Sequence, residues 1–189
     1  MRQDFFEVLE ENPVIAAIKD DKGLEVCNSC KEIKIVFILY GDICSVGEIV
    51  ERVKAAGKIA MIHMDLIEGL DRKTCNVDFL KRNTNADGII TTRANLVKRA
   101  KELGMYTVLR TFVLDSKAFE NIEKEMKVAT PDALEILPGL MPKIIRQVSK
   151  NVKIPVIAGG LISEKEDVVA ALSAGAVSVS STRQTVWMM

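Results

Sequence analysis

Short apolar segments rich in β-branched residues recur along the chain, and most are followed by a segment with helical spacing and charges on one face. Repeats of this kind are typical of parallel strands that are joined by helices. A short leading helix is expected over 4–11, and helices are expected between the strands, for example over 45–56 and 163–174. The predicted strands lie near 14–19, 34–41, 58–66, 87–92, 105–113, 132–137, 154–159 and 176–181.

The strand-helix repeat could form either a closed barrel or an open doubly wound sheet. About eight units, without a glycine-rich first turn of the dinucleotide-binding type, favour the barrel. With 189 residues, the chain is slightly shorter than the ~200 residues usual for that fold. The sequence therefore predicts an α/β protein with a small (β/α)8 TIM-like barrel in which a helix is short or missing, and segment 20–31 is the expected place. No linker divides the chain, so one domain over 1–189 is expected.

The charge balance limits the classes of partner. The 26 basic and 26 acidic residues cancel, so no overall positive field attracts nucleic acid, and any such contact must use a local patch. The chain has neither a signal-like start nor an apolar run near the ~20 residues of a membrane span. A cytoplasmic protein without membrane contact is expected.

The last two predicted strands both end in residues that can hold a phosphate. The first ends at Gly159 and Gly160, and the second ends in the hydroxyls of Ser180, Ser181 and Thr182. At the seventh and eighth strand tips of a barrel, backbone N–H groups and hydroxyls can converge on an anion. A simple tight turn is the alternative explanation for the glycine pair. The pattern predicts that the chain binds a phosphorylated small molecule.

Charged residues near other predicted strand ends would surround the same mouth. His63 and Asp65 alternate with apolar residues, so both are expected to point into the barrel beside Met61, while Ile62, Met64 and Leu66 face the helices. Charges in apolar strands should pair with each other or with a polar ligand, and both signs together suit a polyol phosphate. A purely structural histidine and a barrel ion pair between Arg110 and Glu135 remain alternatives. The candidates for the polyol end are Lys19, Asp42, His63, Asp65, Arg93, Arg110 and Glu135.

Metal and nucleophile chemistry find little support in the sequence. Cys27 and Cys30 have metal-like spacing but no second pair, so they are expected to be reduced cysteines packed on a short helix. A single histidine excludes a His-rich metal centre. A serine triad would need His63 and lacks its strand-turn-helix motif. A carboxylate-only magnesium site remains a weak option that would use Asp42, Asp65 and Glu135. No metal or cofactor is expected.

Two basic patches are candidates for contact with RNA, although such patches are usually solvated helix faces. The aromatic content of 5% offers few stacking platforms, of which Trp187 is expected to be the most available. The first patch follows Pro142 at spacings of three or four and comprises Lys143, Arg146, Lys150 and Lys153. The second comprises Arg93, Lys98, Arg99 and Lys101.

Five motifs together resemble the glycerol-3-phosphate-responsive antiterminator family, called GlpP. The resemblance covers about 13–187, and the combination is far more specific than any single motif. One departure is 179–182, which reads VSST where the family commonly has VSTS, so the hydroxyls are retained. The motifs are HMDLIEGL at 63–70, GIITTR at 88–93, RTFVLDS at 110–116, EILPG at 135–139 and IAGGLI at 157–162.

The resemblance implies a regulator rather than an enzyme. Family members bind glycerol 3-phosphate as an effector and then stabilise the leader mRNA of glycerol-utilisation genes, so that transcription passes a terminator. The resemblance would place the phosphate at Gly159, Gly160, Ser180 and Ser181, with His63, Asp65, Arg93, Arg110 and Glu135 around the glycerol end. The alternatives are a barrel enzyme that acts on a phosphorylated polyol or sugar, with His63 or Glu135 as proton carrier, and a protein-interaction module. The sequence leaves the oligomeric state and the RNA-binding surface open.

Overall fold

A computed structural model describes residues 5–189 and contains a closed barrel of eight parallel strands. The strands are β1 (Val14–Ile18), β2 (Ile35–Ile38), β3 (Ile59–His63), β4 (Gly88–Thr91), β5 (Tyr106–Phe112), β6 (Ala133–Leu137), β7 (Val156–Gly159) and β8 (Ser178–Ser181). The helices are α1 (Phe5–Glu11), α2 (Asp21–Ser29), α3 (Val46–Ala55), α4 (Cys75–Asn83), α5 (Ala94–Glu102), α6 (Ser116–Ala129), α7 (Pro142–Asn151), α8 (Lys165–Ser173) and α9 (Gln184–Trp187). Each strand pairs with the next, and β8 closes the barrel on β1. The predicted (β/α)8 barrel is confirmed.

The two faces of each strand enter different hydrophobic layers. Ile15, Phe37 and Met61 point into the barrel and belong to one buried cluster. Ile38 and Ile62 point outward and pack beneath the surrounding helices. This separation follows from the two-residue period of a strand, and it explains why apolar residues fill both faces of buried parallel strands.

Helix α1 closes the amino-terminal end of the barrel. Its residues Phe5, Val8 and Leu9 are buried in the same cluster as the inner strand residues. The ring of Phe5 stacks on Tyr106, the first residue of β5, at a centroid distance of 4.9 Å. The open mouth therefore lies at the opposite end, where the strands end. The predicted helix start at residue 4 lies outside the described residues.

The prediction that the helix in segment 20–31 is short or missing is wrong, because α2 has nine residues, as many as α4, α5 and α8. The Asp20 carboxylate accepts a hydrogen bond from the Gly23 amide and caps α2, and Leu24 and Cys27 are fully buried. Capping and burial compensate for the weak pattern of this segment. The short helix is instead α9, which has four residues. Within residues 5–189, no helix is long and apolar enough to cross a membrane.

The predicted strand 58–66 is too long at its carboxyl end. β3 ends at His63, and the Leu66 amide then donates to the His63 carbonyl in a turn, at 3.0 Å. Met61 and His63 are buried as expected. Asp65 lies in the turn rather than on the strand, and Leu66 is 47% exposed instead of packing beneath the helices. The strand ends early because the next residues turn towards the end of β4.

Candidate ligand-binding site

A cavity of about 910 Å³ opens at the mouth of the barrel. It lies over the ends of β7 and β8, and residues of β1, β2, β5 and β6 or of the turns that follow them complete its lining. This is where ligands bind in barrels of this kind. Among the predicted site residues, those that line the cavity are Lys19, Arg110, Gly160, Ser180, Ser181 and Thr182.

The charge of the cavity lining is positive. The residues that line the cavity include the cations Lys19, Arg110 and Arg183 and no carboxylate. Within residues 5–189, neither Lys19 nor Arg183 forms an ion pair, whereas Arg110 is paired with Glu135 below the cavity. Two cations therefore remain uncompensated at a site that is open to solvent, and this arrangement favours an anionic ligand.

A hydrogen-bonded network of Arg110, Glu135 and Ser180 forms the floor of the cavity. The fully buried Glu135 carboxylate accepts a hydrogen bond from Arg110 Nε at 2.5 Å and another from the Ser180 hydroxyl. A Cβ atom at Gly159 would clash with Glu135 Oε1. Position 159 therefore has no room for a side chain, because the Glu135 carboxylate packs against it. Arg110 and Glu135 therefore form an ion pair inside the barrel, and Arg110 also lines the cavity.

The turn after β7 requires the second glycine. Gly160 has a φ of +74°, and a Cβ there would lie 3.0 Å from Leu137 Cδ2. The next residue, Leu161, also has a positive φ, of +65°, and is 70% exposed at the rim of the cavity. Glycine tolerates this left-handed backbone without steric cost, so the turn presents its backbone directly to the cavity.

The hydroxyl of Ser181 fixes the two strand tips relative to each other. It donates to the Ile162 carbonyl at 2.7 Å and accepts from the Arg183 amide at 3.0 Å. The Ser181 carbonyl accepts from Trp187 Nε1 at 2.7 Å. Ser180 and Ser181 are therefore both bound to protein groups, while Thr182 is exposed at the cavity wall.

His63 lies buried beneath the mouth. It is 3% exposed, and neither ring nitrogen has a hydrogen-bond partner among the described residues. Nδ1 lies 4.0 Å from Asp65 Oδ2, which is too long for a hydrogen bond. Burial, together with the charge of Arg110, lowers the pKa of His63 from 6.5 to about 4, although Asp65 opposes this shift. The imidazole is therefore neutral near pH 7.

The buried neutral His63 makes the stability of the fold dependent on pH. Between its ordinary pKa of 6.5 and its folded pKa of about 4, the unfolded chain binds a proton that the folded chain does not. Stability must therefore fall as the pH falls through this range. From about pH 7 to about pH 4.5 we expect this residue to remove about 2 kcal/mol from the free energy of unfolding. Urea unfolding of the wild type and of His63→Met at both pH values measures the difference. If the free energy of unfolding depends on pH equally in the two proteins, the predicted contribution of His63 is wrong.

Asp65 and Arg93 pair with each other at the ends of β3 and β4. Arg93 Nε donates to Asp65 Oδ1 at 3.0 Å, and the Thr92 amide donates to Oδ2 at 2.8 Å. Asp42 is engaged elsewhere, because its carboxylate accepts hydrogen bonds from the Cys44 and Ser45 amides at the start of α3. These bonds, led by the one from the Ser45 amide, lower the pKa of Asp42. None of the predicted site residues Asp42, Asp65 and Arg93 lines the cavity.

The carboxylates that the sequence offers for a magnesium site are not grouped together. Asp42, Asp65 and Glu135 each have their own partners, and across residues 5–189 no cluster of His, Cys, Asp and Glu could hold a metal ion. Cys27 is a free thiol buried in α2, and burial raises its pKa to about 11. Cys30 caps the same helix and is also free, in agreement with the prediction for this pair.

Only one of the two predicted basic patches remains uncompensated. Lys143, Arg146, Lys150 and Lys153 are exposed on or just after α7, and none of them forms an ion pair within the described chain. In the second patch, Arg93, Arg99 and Lys101 pair with Asp65, Asp78 and Asp132, respectively. The prediction that Trp187 is available for stacking is wrong, because its ring is 2% exposed and packs near α2.

Sequence reasoning missed Arg183. It lies one residue beyond the predicted run of hydroxyls, at the start of α9, and it lines the cavity with Gln184 and Thr185. A signal was available, because barrels frequently place a short extra helix after the last strands at the phosphate site. Leu140 and Ser163 also line the cavity and were not singled out.

The sequence matches a known protein family and a bacterial relative. Residues 14–187 match the sequence profile of the "Glycerol-3-phosphate responsive antiterminator" family. A relative from Escherichia coli (strain K12), "Uncharacterized protein YgcP", is 43% identical over 182 residues, which cover 96% of this chain and 95% of the relative.

Two solved structures are similar over nearly their whole length. The glycerol uptake operon antiterminator regulatory protein from Listeria monocytogenes is 31% identical with a TM-score of 0.88, over 92% of this chain and 94% of that one. The glycerol uptake operon antiterminator-related protein from Thermotoga maritima is also 31% identical, with a TM-score of 0.83, over 94% of this chain and 99% of that one. A deoxyribose phosphate aldolase from Aeropyrum pernix, at 12% identity and a TM-score of 0.73, shares the fold alone. On these matches, the chain belongs to the glycerol-3-phosphate responsive antiterminator family.

Proposed function

We propose that this chain senses glycerol 3-phosphate at the barrel mouth and, with the ligand bound, binds the leader mRNA of glycerol-utilisation genes so that transcription passes a terminator. The observation that carries the ligand part is the cavity at the ends of β7 and β8, whose lining has three cations and no carboxylate. The family supplies the ligand class and the regulatory role. The effector is the only small molecule required, and no resident cofactor takes part.

The phosphate group fits the uncompensated charge of the cavity. A phosphate monoester carries a charge of about −1.5 to −2 at neutral pH. Arg183 stands beside Thr182 at the end of β8. Lys19 follows the adjacent β1, in which Ala16 is opposite Ser181. We place the phosphate between these two cations, over the backbone of the Gly160 turn. Hydrogen bonds to an anion are shorter and stronger than hydrogen bonds between neutral groups.

The glycerol end then lies over the floor of the cavity. Arg110 and Ser180 are oriented there by Glu135, and both line the cavity. His63 lies deeper, with two ring nitrogens that have no protein partner in the described chain. A neutral imidazole can donate one hydrogen bond and accept another. Since His63 does not line the cavity, it suits a water molecule between the ring and the ligand rather than a direct contact with the glycerol hydroxyls.

The enzymatic alternative relied on His63 or Glu135 as a proton carrier. Both oxygens of Glu135 are occupied, by Arg110 and by Ser180, and neither His63 nor Glu135 lines the cavity. A general base must reach the proton that it removes. These contacts support a sensor in preference to a phospho-sugar enzyme. A turnover screen with triose and pentose phosphates tests this choice, and conversion that is lost in His63→Ala would favour the enzyme.

Ligand-dependent RNA binding is the regulatory prediction. Glycerol 3-phosphate can promote binding only if the RNA-competent conformation binds it more tightly. We therefore expect a leader transcript to be retained in a gel shift at lower protein concentration when glycerol 3-phosphate is present, by about tenfold for a typical coupling free energy. The uncompensated cations of α7 should make retention weaker at the higher of two salt concentrations. Retention that depends on salt and not on the ligand would contradict the proposal.

A further inference from the structure

A cleft separates α6 from α7 on the side of the barrel, and the family assignment does not account for it. It consists of two adjoining cavities of about 520 Å³ and 220 Å³, and Phe119 and Glu120 line both of them. We call this feature the α6–α7 cleft. Phe119 is partly exposed at the junction of the two cavities and packs on buried apolar residues below. Its ring therefore has a supported position and an open approach.

The two walls of the cleft differ in charge. Segment 142–153 along α7 has four cations and no carboxylate, and none of the four cations is paired within the described residues. Gln147 lines the cleft, and Lys143 and Lys150 are its neighbours on the helix surface at spacings of four and three. The α6 wall presents three exposed carboxylates that line the cleft, Asp115, Glu120 and Glu123. Among the described residues, no cation lines either cavity, so Lys143 and Lys150 border the cleft from outside. A bound polymer chain with negative charge along one edge would therefore lie with that edge over α7.

We propose that the α6–α7 cleft binds an unpaired segment of RNA, with a base stacked on Phe119, the phosphates over Lys143 and Lys150, and the base edge towards Glu120 and Glu123. Stacking on an aromatic ring is available only to bases outside a helix. Carboxylates accept hydrogen bonds from exocyclic amino groups, as they do from cytosine N4, but repel phosphates. The charge difference between the walls thus orients a single strand. The inference rests on the proposed function and adds the surface and the kind of RNA that it recognises.

The cleft and the ligand cavity share one loop. Leu137 and Leu140 line the ligand cavity, whereas the next residue, Met141, lines the cleft. The loop is tied to the turn after β7, because the Gly139 amide donates to the Gly160 carbonyl at 3.0 Å. A ligand that repositions the Gly160 turn therefore acts on the segment that borders Met141. This connection gives the bound ligand a direct physical route to the RNA surface.

Fluorescence anisotropy of a labelled single-stranded RNA of mixed sequence, titrated at saturating glycerol 3-phosphate, tests the proposal. Phe119→Ala should weaken binding by roughly 5- to 150-fold, which is the usual range for the loss of one stacked base. Phe112→Ala is the matched control, because Phe112 is also exposed and lines neither cavity. Lys150→Gln should lower the salt dependence by about one phosphate contact, and Lys98→Gln on α5 should not. The same RNA annealed to its complement should bind more weakly to the wild type.

Each outcome separates the cleft from the general proposal. If the wild type does not bind RNA with the ligand present, the proposed function fails. If the wild type binds and Phe119→Ala binds equally well, only the assignment to the cleft is overturned. Phe119→Leu serves as a second variant, since it keeps apolar packing but removes the flat ring, and it should weaken binding as well. Self-association that is lost in Phe119→Ala, without any effect on RNA, would assign the cleft to a second copy of the chain and overturn the proposal.

Discussion

Replacing Glu135 with alanine is expected to lower the free energy of unfolding by about 3 to 5 kcal/mol. The substitution leaves the Arg110 guanidinium inside the barrel mouth without its counterion, and that side chain is only 10% exposed. It also removes the acceptor of the Ser180 hydroxyl and leaves a void in a fully buried position. Urea unfolding of both proteins at neutral pH measures the change.

The double variant Glu135→Leu with Arg110→Met is the control for this effect. A buried ion pair costs desolvation energy, so replacement of both partners by apolar residues is often neutral or stabilising. Most of the lost stability should therefore return in the double variant. A loss below about 1 kcal/mol in Glu135→Ala, in the range of an exposed pair, would contradict the described network.

Removal of both uncompensated cations of the cavity is expected to have the largest effect on ligand affinity. A hydrogen bond to a charged group contributes about 1.5 to 3 kcal/mol, so Lys19→Ala and Arg183→Ala should each weaken the binding of glycerol 3-phosphate by at least about tenfold. Together they should weaken it by about 100-fold or more. Calorimetric titration measures the dissociation constants. Both side chains are exposed, and the stability should change little.

Lys165→Ala is the matched control for these two variants. Lys165 is an exposed lysine at the start of α8, close to the mouth in sequence but outside the cavity lining. Its removal should lower the affinity for glycerol 3-phosphate only through the loss of long-range electrostatic attraction, which salt screens. If Lys19→Ala, Arg183→Ala and Lys165→Ala all reduce affinity equally, the phosphate position proposed between Lys19 and Arg183 is wrong.

The barrel could be predicted because its determinants are local. Each buried strand is marked by β-branched residues, and the following helix by its apolar stripe, as in α3, where Val46, Ile49, Val50 and Val53 are buried. Segment 20–31 misled the prediction because α2 depends on a cap at Asp20 and on burial of Leu24. Those contacts are made only when the chain is folded, so the pattern of the segment did not reveal them.

The candidate site was predictable where it depends on strand order and less so where it depends on side-chain pairing. The tips of β7 and β8 do meet at one cavity, and Gly160, Ser180, Ser181 and Thr182 lie there. The position of Asp65 depends on where β3 ends, and a strand end is set by contacts with β4 that the sequence does not display. The sequence predicts Gly159 at the phosphate, whereas in the structure this position packs against the carboxylate of Glu135, a residue far away in sequence.

Calorimetric titration of the wild type with glycerol 3-phosphate, compared with glycerol and with inorganic phosphate, tests the central claim most directly. The account predicts saturable binding of glycerol 3-phosphate at one site per chain, weaker binding of phosphate, and the weakest binding of glycerol, because the uncompensated charges of Lys19 and Arg183 contact the phosphate group. Absence of binding at millimolar glycerol 3-phosphate, or equal binding of glycerol alone, would contradict it.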